Sequence, residues 1–135
     1  MKSDIDIKDD VYMVIVNSKL KKAVTGSICK RERTHYDTDA PTKEDICISV
    51  LANATSQLQE AFVNVNIYVQ DENVNGQKEE CSQRLRELCQ MSFQVFNAVH
   101  GNGFRLSMSS QRVLACKETD EHIINNKLLY QTIND

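Results

Sequence analysis

The stretch Glu60-Ala61-Phe62-Val63-Asn64-Val65-Asn66-Ile67-Tyr68-Val69 decides how this chain folds. Ala61, Val63, Val65, Ile67 and Val69 share one side of an extended backbone. Glu60, Asn64, Asn66 and Tyr68 share the other, with Phe62 as its apolar member. Side chains alternate between the two faces of a strand, so this pattern predicts a half-buried antiparallel strand, placed at residues 57–70. Its outer face is rich in carboxamides and lacks the usual catalytic side chains. A strand of this kind presents a surface, and a surface implies a partner.

Working outward, residues 44–52 read as a second strand. Ile46, Ile48 and Val50 point one way and Cys47, Ser49 and Leu51 the other. A turn at residues 53–56 would pair this strand antiparallel with 57–70. Beyond the long strand, residues 71–76 contain an Asn-Gly pair and read as a loop. Residues 77–100 carry the strongest helical pattern, with Cys81, Leu85, Leu88, Val95, Phe96 and Val99 as a stripe. Gly101-Asn102-Gly103 is expected to end that helix as a C-cap. Residues 104–117 read as a strand with a bend or bulge at Ser109-Ser110, residues 118–121 as a charged turn, and residues 122–133 as a last strand.

Toward the N-terminus, Asp9 and Asp10 precede Val11, Met13, Val14, Ile15 and Leu20, and lysines follow. Acids at the start and bases at the end complement the helix dipole, so the first helix is placed at residues 9–23. Residues 1–8 are expected to form a flexible extension. Thr25-Gly26 stops the helix, residues 27–31 read as a short strand, and residues 32–43, with the sole proline Pro41, read as a loop. The sum is one domain spanning residues 1–135. Its class is α+β, a mainly antiparallel sheet of four to five strands with two helices packed on one face.

Composition narrows the function. At 135 residues the chain buries about two-thirds of its unfolded surface, enough for one core. A net charge of −3 argues against a general nucleic-acid binder. The charge is uneven, however: Lys19, Lys21, Lys22, Lys30, Arg31 and Arg33 are opposed between residues 17 and 33 by Glu32 alone. Such a patch can steer an anionic partner, or it can be a solvated helix face and a lysine-guarded edge. The five cysteines are scattered without a CxxC, which fits free thiols in a reducing compartment. Cys29 with His35, or His35 with Tyr36, Asp37 and Asp39, would be the residues for a metal site, and their spacing gives it little support. Neither a signal peptide nor an apolar run of membrane-spanning length is present, so no membrane association is expected. His100 and His122 lie outside any catalytic motif, and no GxSxG, HExxH or phosphate-binding loop occurs. The adjacent acids Glu44 and Asp45 would face opposite ways on a strand and so make a poor acid–base pair. No cofactor and no catalytic residue is expected.

The run from Leu20-Lys21-Lys22-Ala23-Val24-Thr25-Gly26, through Pro41 and Glu44-Asp45-Ile46-Cys47-Ile48, to Gln57-Leu58-Gln59-Glu60 and on to Val69 resembles the tail-terminator, or tail-completion, proteins of long-tailed bacteriophages, in a variant carried by prophages of gut bacteria. The order of elements is similar across residues 9–133, and residue-level similarity is confined to residues 20–69. The chain departs from the family pattern at Arg33-Thr34, where an Arg-Pro pair is more usual. The resemblance implies a small non-enzymatic α+β subunit that forms a six-membered ring on the tail tube. The ring would stop tube growth and offer a docking surface to the head connector. Its partners would be other copies of itself, the tail tube, the head–tail connector and, transiently, DNA in the ring lumen. Its locations would be the bacterial host cytoplasm during assembly and then the virion tail. Asn64, Asn66 and Tyr68 are the candidate interface residues, and Lys30, Arg31 and Arg33 the candidate basic surface. A head–tail neck protein of similar fold, or a small nucleic-acid-binding factor using residues 19–33, are the alternatives.

Overall fold

The computed structural model describes residues 1–33, 43–54 and 58–133. Along them run helix α1 (Asp4–Val16), α2 (Lys19–Ala23), strands β1 (Ile28–Cys29), β2 (Ile46–Ala54), β3 (Leu58–Gln70), β4 (Glu72–Val74) and β5 (Gln77–Glu79), helix α3 (Ser82–Phe96), and strands β6 (Val99–His100), β7 (Arg105–Cys116) and β8 (Glu121–Ile133). Six strands form one sheet in the order β1-β2-β3-β8-β7-β6, and β4 with β5 makes a separate hairpin. The class is α+β as expected, with three helices and a six-stranded sheet in place of two helices and four to five strands.

The centre of the sheet is β3 against β8, two 13-residue strands paired antiparallel without a break from Leu58↔Ile133 to Gln70↔Glu121. Alternation in β3 sends Ala61, Val63, Val65, Ile67 and Val69 to one side, each at most 2% exposed. Ile124, Leu128 and Tyr130 of β8 join them there, with Ile46 and Ile48 of β2 and Leu106 of β7. The helices cover this face. Helix α1 contributes Ile7, Val11 and Ile15 at four-residue spacing, and α3 contributes Leu85, Leu88 and Phe96. Strand β2 pairs antiparallel with β3, as its pattern predicts. The bend expected at Ser109-Ser110 is a register shift in β7 between Met108 and Ser110.

Five local readings are corrected. Residues 1–8 are not an extension: α1 starts at Asp4, because Ser3 and Asp6 form a reciprocal capping box. The N-terminus is also sutured to the sheet. Buried Gln59 donates from Nε2 to the Lys2 carbonyl at 2.7 Å and accepts from Lys2 N at 3.0 Å. Tyr130 Oη donates to Asp10 Oδ2 at 2.6 Å. Hydrogen bonds from Ser3 to the Asp6 carboxylate hold its pKa below the ordinary aspartate value, so this contribution is present at neutral pH and is lost as pH falls through that lowered value.

The single helix expected at 9–23 is two, divided where the Ser18 side chain caps α2 by accepting from Leu20 N. The loop at 71–76 is instead the β4–β5 hairpin. Asn75 and Gly76 both take positive φ, as the tight two-residue turn requires. This hairpin takes the first residues assigned to the long helix, so α3 begins at Ser82. At its other end α3 stops before Ala98, which has φ 57°. The segment Gly101-Asn102-Gly103 therefore turns β6 into β7 and does not cap a helix, and His100 lies on a strand. The loop residues 34–42, with His35 and Pro41, and the turn residues 55–56 lie outside the described residues.

Truncating the central strand tests this packing. Ile67→Ala removes a fully buried side chain and is expected to lower unfolding free energy by about 2–5 kcal/mol in a denaturant titration. A loss below about 1 kcal/mol would place Ile67 outside the core.

Candidate functional site

Among the described residues, no helix packs on the second face of the sheet, which displays the carboxamides. Register places Ser49, Asn64, Lys127 and Ser110 in one row, and Cys47, Asn66, Asn125 and Arg112 in the next. Asn125 Nδ2 sits between the β3 amides, donating to Asn66 Oδ1 at 2.7 Å and to Asn64 Oδ1 at 3.1 Å. One row further on, the Lys127 ammonium lies 4.5 Å from the centre of the Phe62 ring, which shields the apolar member of this face. Asn64, Asn66 and Tyr68 are all half-buried: neither sealed in the core nor fully exposed.

At one side this face deepens into a cleft of about 530 Å³. Its lining includes Lys8, Lys30, Arg31, Arg33, Asn66 and Tyr68. The structure thus brings the expected basic residues together with two of the three expected interface residues; Asn64 stands one row away, joined through Asn125.

Arg33 organises the cleft. Its Nε donates to Asp45 Oδ2 at 2.8 Å, and Nη1 and Nη2 grip Glu121 at 2.7 and 2.8 Å. Both carboxylates are wholly buried. Burial alone would loosen the guanidinium proton, but the bonds to Glu121 and Asp45 outweigh it and hold that proton more firmly than usual. The guanidinium lies 4.1 Å from the centre of the Tyr68 ring. The second oxygen of Asp45 accepts from Ser27 N at 2.8 Å, and Gly26 N donates to the Glu44 carbonyl at 2.8 Å. A Cβ at Gly26 would overlap Asp45 Oδ1 and the Glu44 backbone, so the close approach of this turn to β2 requires glycine.

Glu44, which with Asp45 lies just before β2 and not on a strand, engages a different arginine. It takes a two-pronged ion pair from Arg84 of α3, at 2.6 and 2.7 Å. Lys30 reaches Asp9 at 3.0 Å and lies 4.8 Å from the Tyr12 ring centre, while Arg31 is exposed. Around the cleft, Lys8, Lys30, Arg31 and Arg33 therefore stand against Asp9, Glu32, Asp45 and Glu121. Cys47 and Cys29 are paired in register on β2 and β1. Burial, reinforced by Cys29, pushes the Cys47 thiol up to about 12. With both buried carboxylates held by Arg33 and this thiol protonated, the charge that the cleft presents outward is that of Lys8, Lys30, Arg31 and Glu32.

Sequence reasoning missed Asp45, Glu121, Asn125 and Gly26. Arg33 and Glu121 are 88 residues apart, and no local pattern joins them. It also missed a buried polar chain on the helix-covered face, where Asn126 bonds to Gln111 at 2.8 Å and to Ser92 at 3.1 Å. His122 lies 2.6 Å from Asp71, and His100 is exposed. Among the described residues, no three His, Cys, Asp or Glu side chains are grouped to hold a metal. None of the described helices is long and apolar enough to cross a membrane. No protein-family model matches this chain, and no curated protein matches it.

Two measurements check this geometry. Arg33→Met leaves Asp45 and Glu121 buried without their cation, and should cost about 3–5 kcal/mol of stability; a loss under 1 kcal/mol would mean the ion pairs are solvated. In the folded protein at pH 8, Cys47 should react with iodoacetamide far more slowly than in urea, because the thiolate is the nucleophile. Equal rates in peptide mass spectra would contradict a raised thiol.

Proposed function

We propose that this chain is a non-enzymatic structural subunit of a phage or prophage long tail, which caps the tail tube as a ring and joins it to the head connector. The observation that carries the reading is the sheet face that no described helix covers, with its row of half-buried carboxamides. Carboxamides donate and accept at once, and ordering them costs no charge desolvation, so they suit a surface that must meet protein. The resemblance of residues 20–69 to tail-terminator proteins supplies the biological setting.

The balance of cations and carboxylates around the cleft bears on the choice of partner. A groove that tracks phosphates needs unmatched positive charge. Here Arg33 is committed to Glu121 and Asp45, and Lys30 is shared with Asp9. This favours protein contact over sustained nucleic-acid binding. Passage of DNA through the ring would then involve the exposed Arg31 and the half-buried Lys8 only in passing contact.

Light scattering across a concentration series, with and without a long-tail tube protein, tests the proposal. The expected outcome is a discrete ring-sized species, six copies on the family pattern, in at least the mixed sample. Asn64→Arg on the open face should leave the chain folded by circular dichroism and weaken the species formed with the tube protein. A monomer under every condition, tube protein included, would contradict the reading.

A further inference from the structure

The sheet has two incompletely paired edges, and they lie at opposite sides. Strand β6 covers only Arg105 and Leu106 of β7, so among the described residues the outer edge of residues 107–116 has no strand partner. Strand β1 covers only Ile46 and Cys47 of β2, which leaves the outer edge of residues 48–54 likewise without one. Both stretches carry exposed apolar side chains: Leu51 is 56% exposed, Val113 41% and Leu114 39%. A long edge with free backbone donors and acceptors is a template for pairing with another chain unless it is guarded.

We infer that copies of this chain join edge to edge, the outer edge of β7 in one copy pairing antiparallel with the outer edge of β2 in the next. This rests on the ring-subunit reading above and assigns its interface. Three features select this pairing. First, β2 and β7 both run antiparallel to strands that are themselves antiparallel to each other, so β2 and β7 point in opposite directions across the sheet. Setting the next copy alongside therefore brings β2 against β7 as an antiparallel pair and continues the sheet.

Second, the two short strands block opposite ends. The register runs from Leu58 with Ile133 at one end to Gln70 with Glu121 at the other. β6 occupies β7 near the first end, and β1 occupies β2 near the second. The free stretches can meet only with a stagger, and β1 and β6 act as stops that limit the slide. Sheet twist rotates each copy relative to the last, and a heterologous contact of this kind closes into a ring when the rotation returns to the first copy and the stagger adds no net rise.

Third, charge opposes self-pairing. Arg112 lies near the middle of the free β7 stretch and is exposed. A two-fold β7–β7 pair would bring the Arg112 side chains of both copies close together, and like charges across a strand pair destabilise it. The β2 flank instead mixes signs, with Asp4 bonded to Asn53 at 2.9 Å and Lys8 on the neighbouring helical turn.

Amide hydrogen exchange read by mass spectrometry on the native full chain tests this, comparing dilute monomer with the assembled species. Residues 48–54 and 107–116 should both slow by at least about tenfold on assembly, while the core of β3 and β8 stays unchanged. Assembly with no slowing at either stretch would overturn the inference and leave the ring reading standing. Slowing at 107–116 alone, in a dimer, would overturn it in favour of β7 self-pairing. Failure to assemble under any condition would remove both.

Discussion

The pairing of β3 with β8 is the constraint on which the rest of this structure depends. Thirteen residues of each strand match without a bulge, so alternation holds along the whole length and the two faces never exchange. A slip of one residue would turn Val63, Val65 and Ile67 outward and drive Asn64 and Asn66 into the core. The irregularities are confined to the outer strands, where β2 shifts register between Val50 and Ala52 and β7 between Met108 and Ser110. Bulges bend a sheet and increase its twist. The centre of this sheet is thus regular, and its flanks are where it curves.

Polar groups inside this frame are all accounted for. Among the described residues, no buried side-chain nitrogen or oxygen lacks a hydrogen-bond partner. Arg33 ties the segment after β1 to Asp45 just before β2 and to Glu121 at the start of β8. Arg84 ties α3 to Glu44 and to the end of α2 through the Ala23 carbonyl, at 2.7 Å. Asn126 ties β8 to β7 and α3. Buried ion pairs of this sort contribute little net stability against an apolar alternative, but separating the partners leaves a buried charge uncompensated and is costly. Here they fix the position of loops and helices that the apolar core alone would leave freer. The cleft owes its shape to the same bonds, because Arg33 holds its own segment against Tyr68.

What was legible in the sequence follows from range. Alternation in β3 and β2 and the bulge in β7 are local signals, and each appears in the fold. The α1 start was missed because the capping box at Ser3 and Asp6 was outweighed by the acids at Asp9 and Asp10 as a start signal. The β4–β5 hairpin was missed although Asn75-Gly76 is a strong hairpin signal; its strands have three residues each and no apolar alternation to flank the turn. Glycines 101 and 103 read as a helix cap in the sequence because the positive φ just beyond α3 falls on Ala98, a residue that gives no such cue. Of the site, Asn64, Asn66 and Tyr68 were visible through period-2 spacing. Their neighbours Asn125 and Cys47 come from other strands and depend on register, and Arg33's role as a buried staple depends on Asp45 and Glu121, far away in the chain.

Among the described residues one sheet face has no helix on it, charge is mixed around a shallow cleft and two antiparallel edges are incompletely paired, and the proposed assembly role rests on these features. All of this requires that the amide side of β3 faces away from the helices. The most direct measurement is the set of cross-strand nuclear Overhauser contacts between β3 and β8 in the isolated chain. The account predicts backbone contacts for Val65 with Asn126 and for Asn66 with Asn125, together with contacts from the Val65 methyl groups to the α1 or α3 side chains. A register displaced by one residue, with the Asn64 and Asn66 side chains against the helices, or helical contacts through residues 60–69, would contradict it.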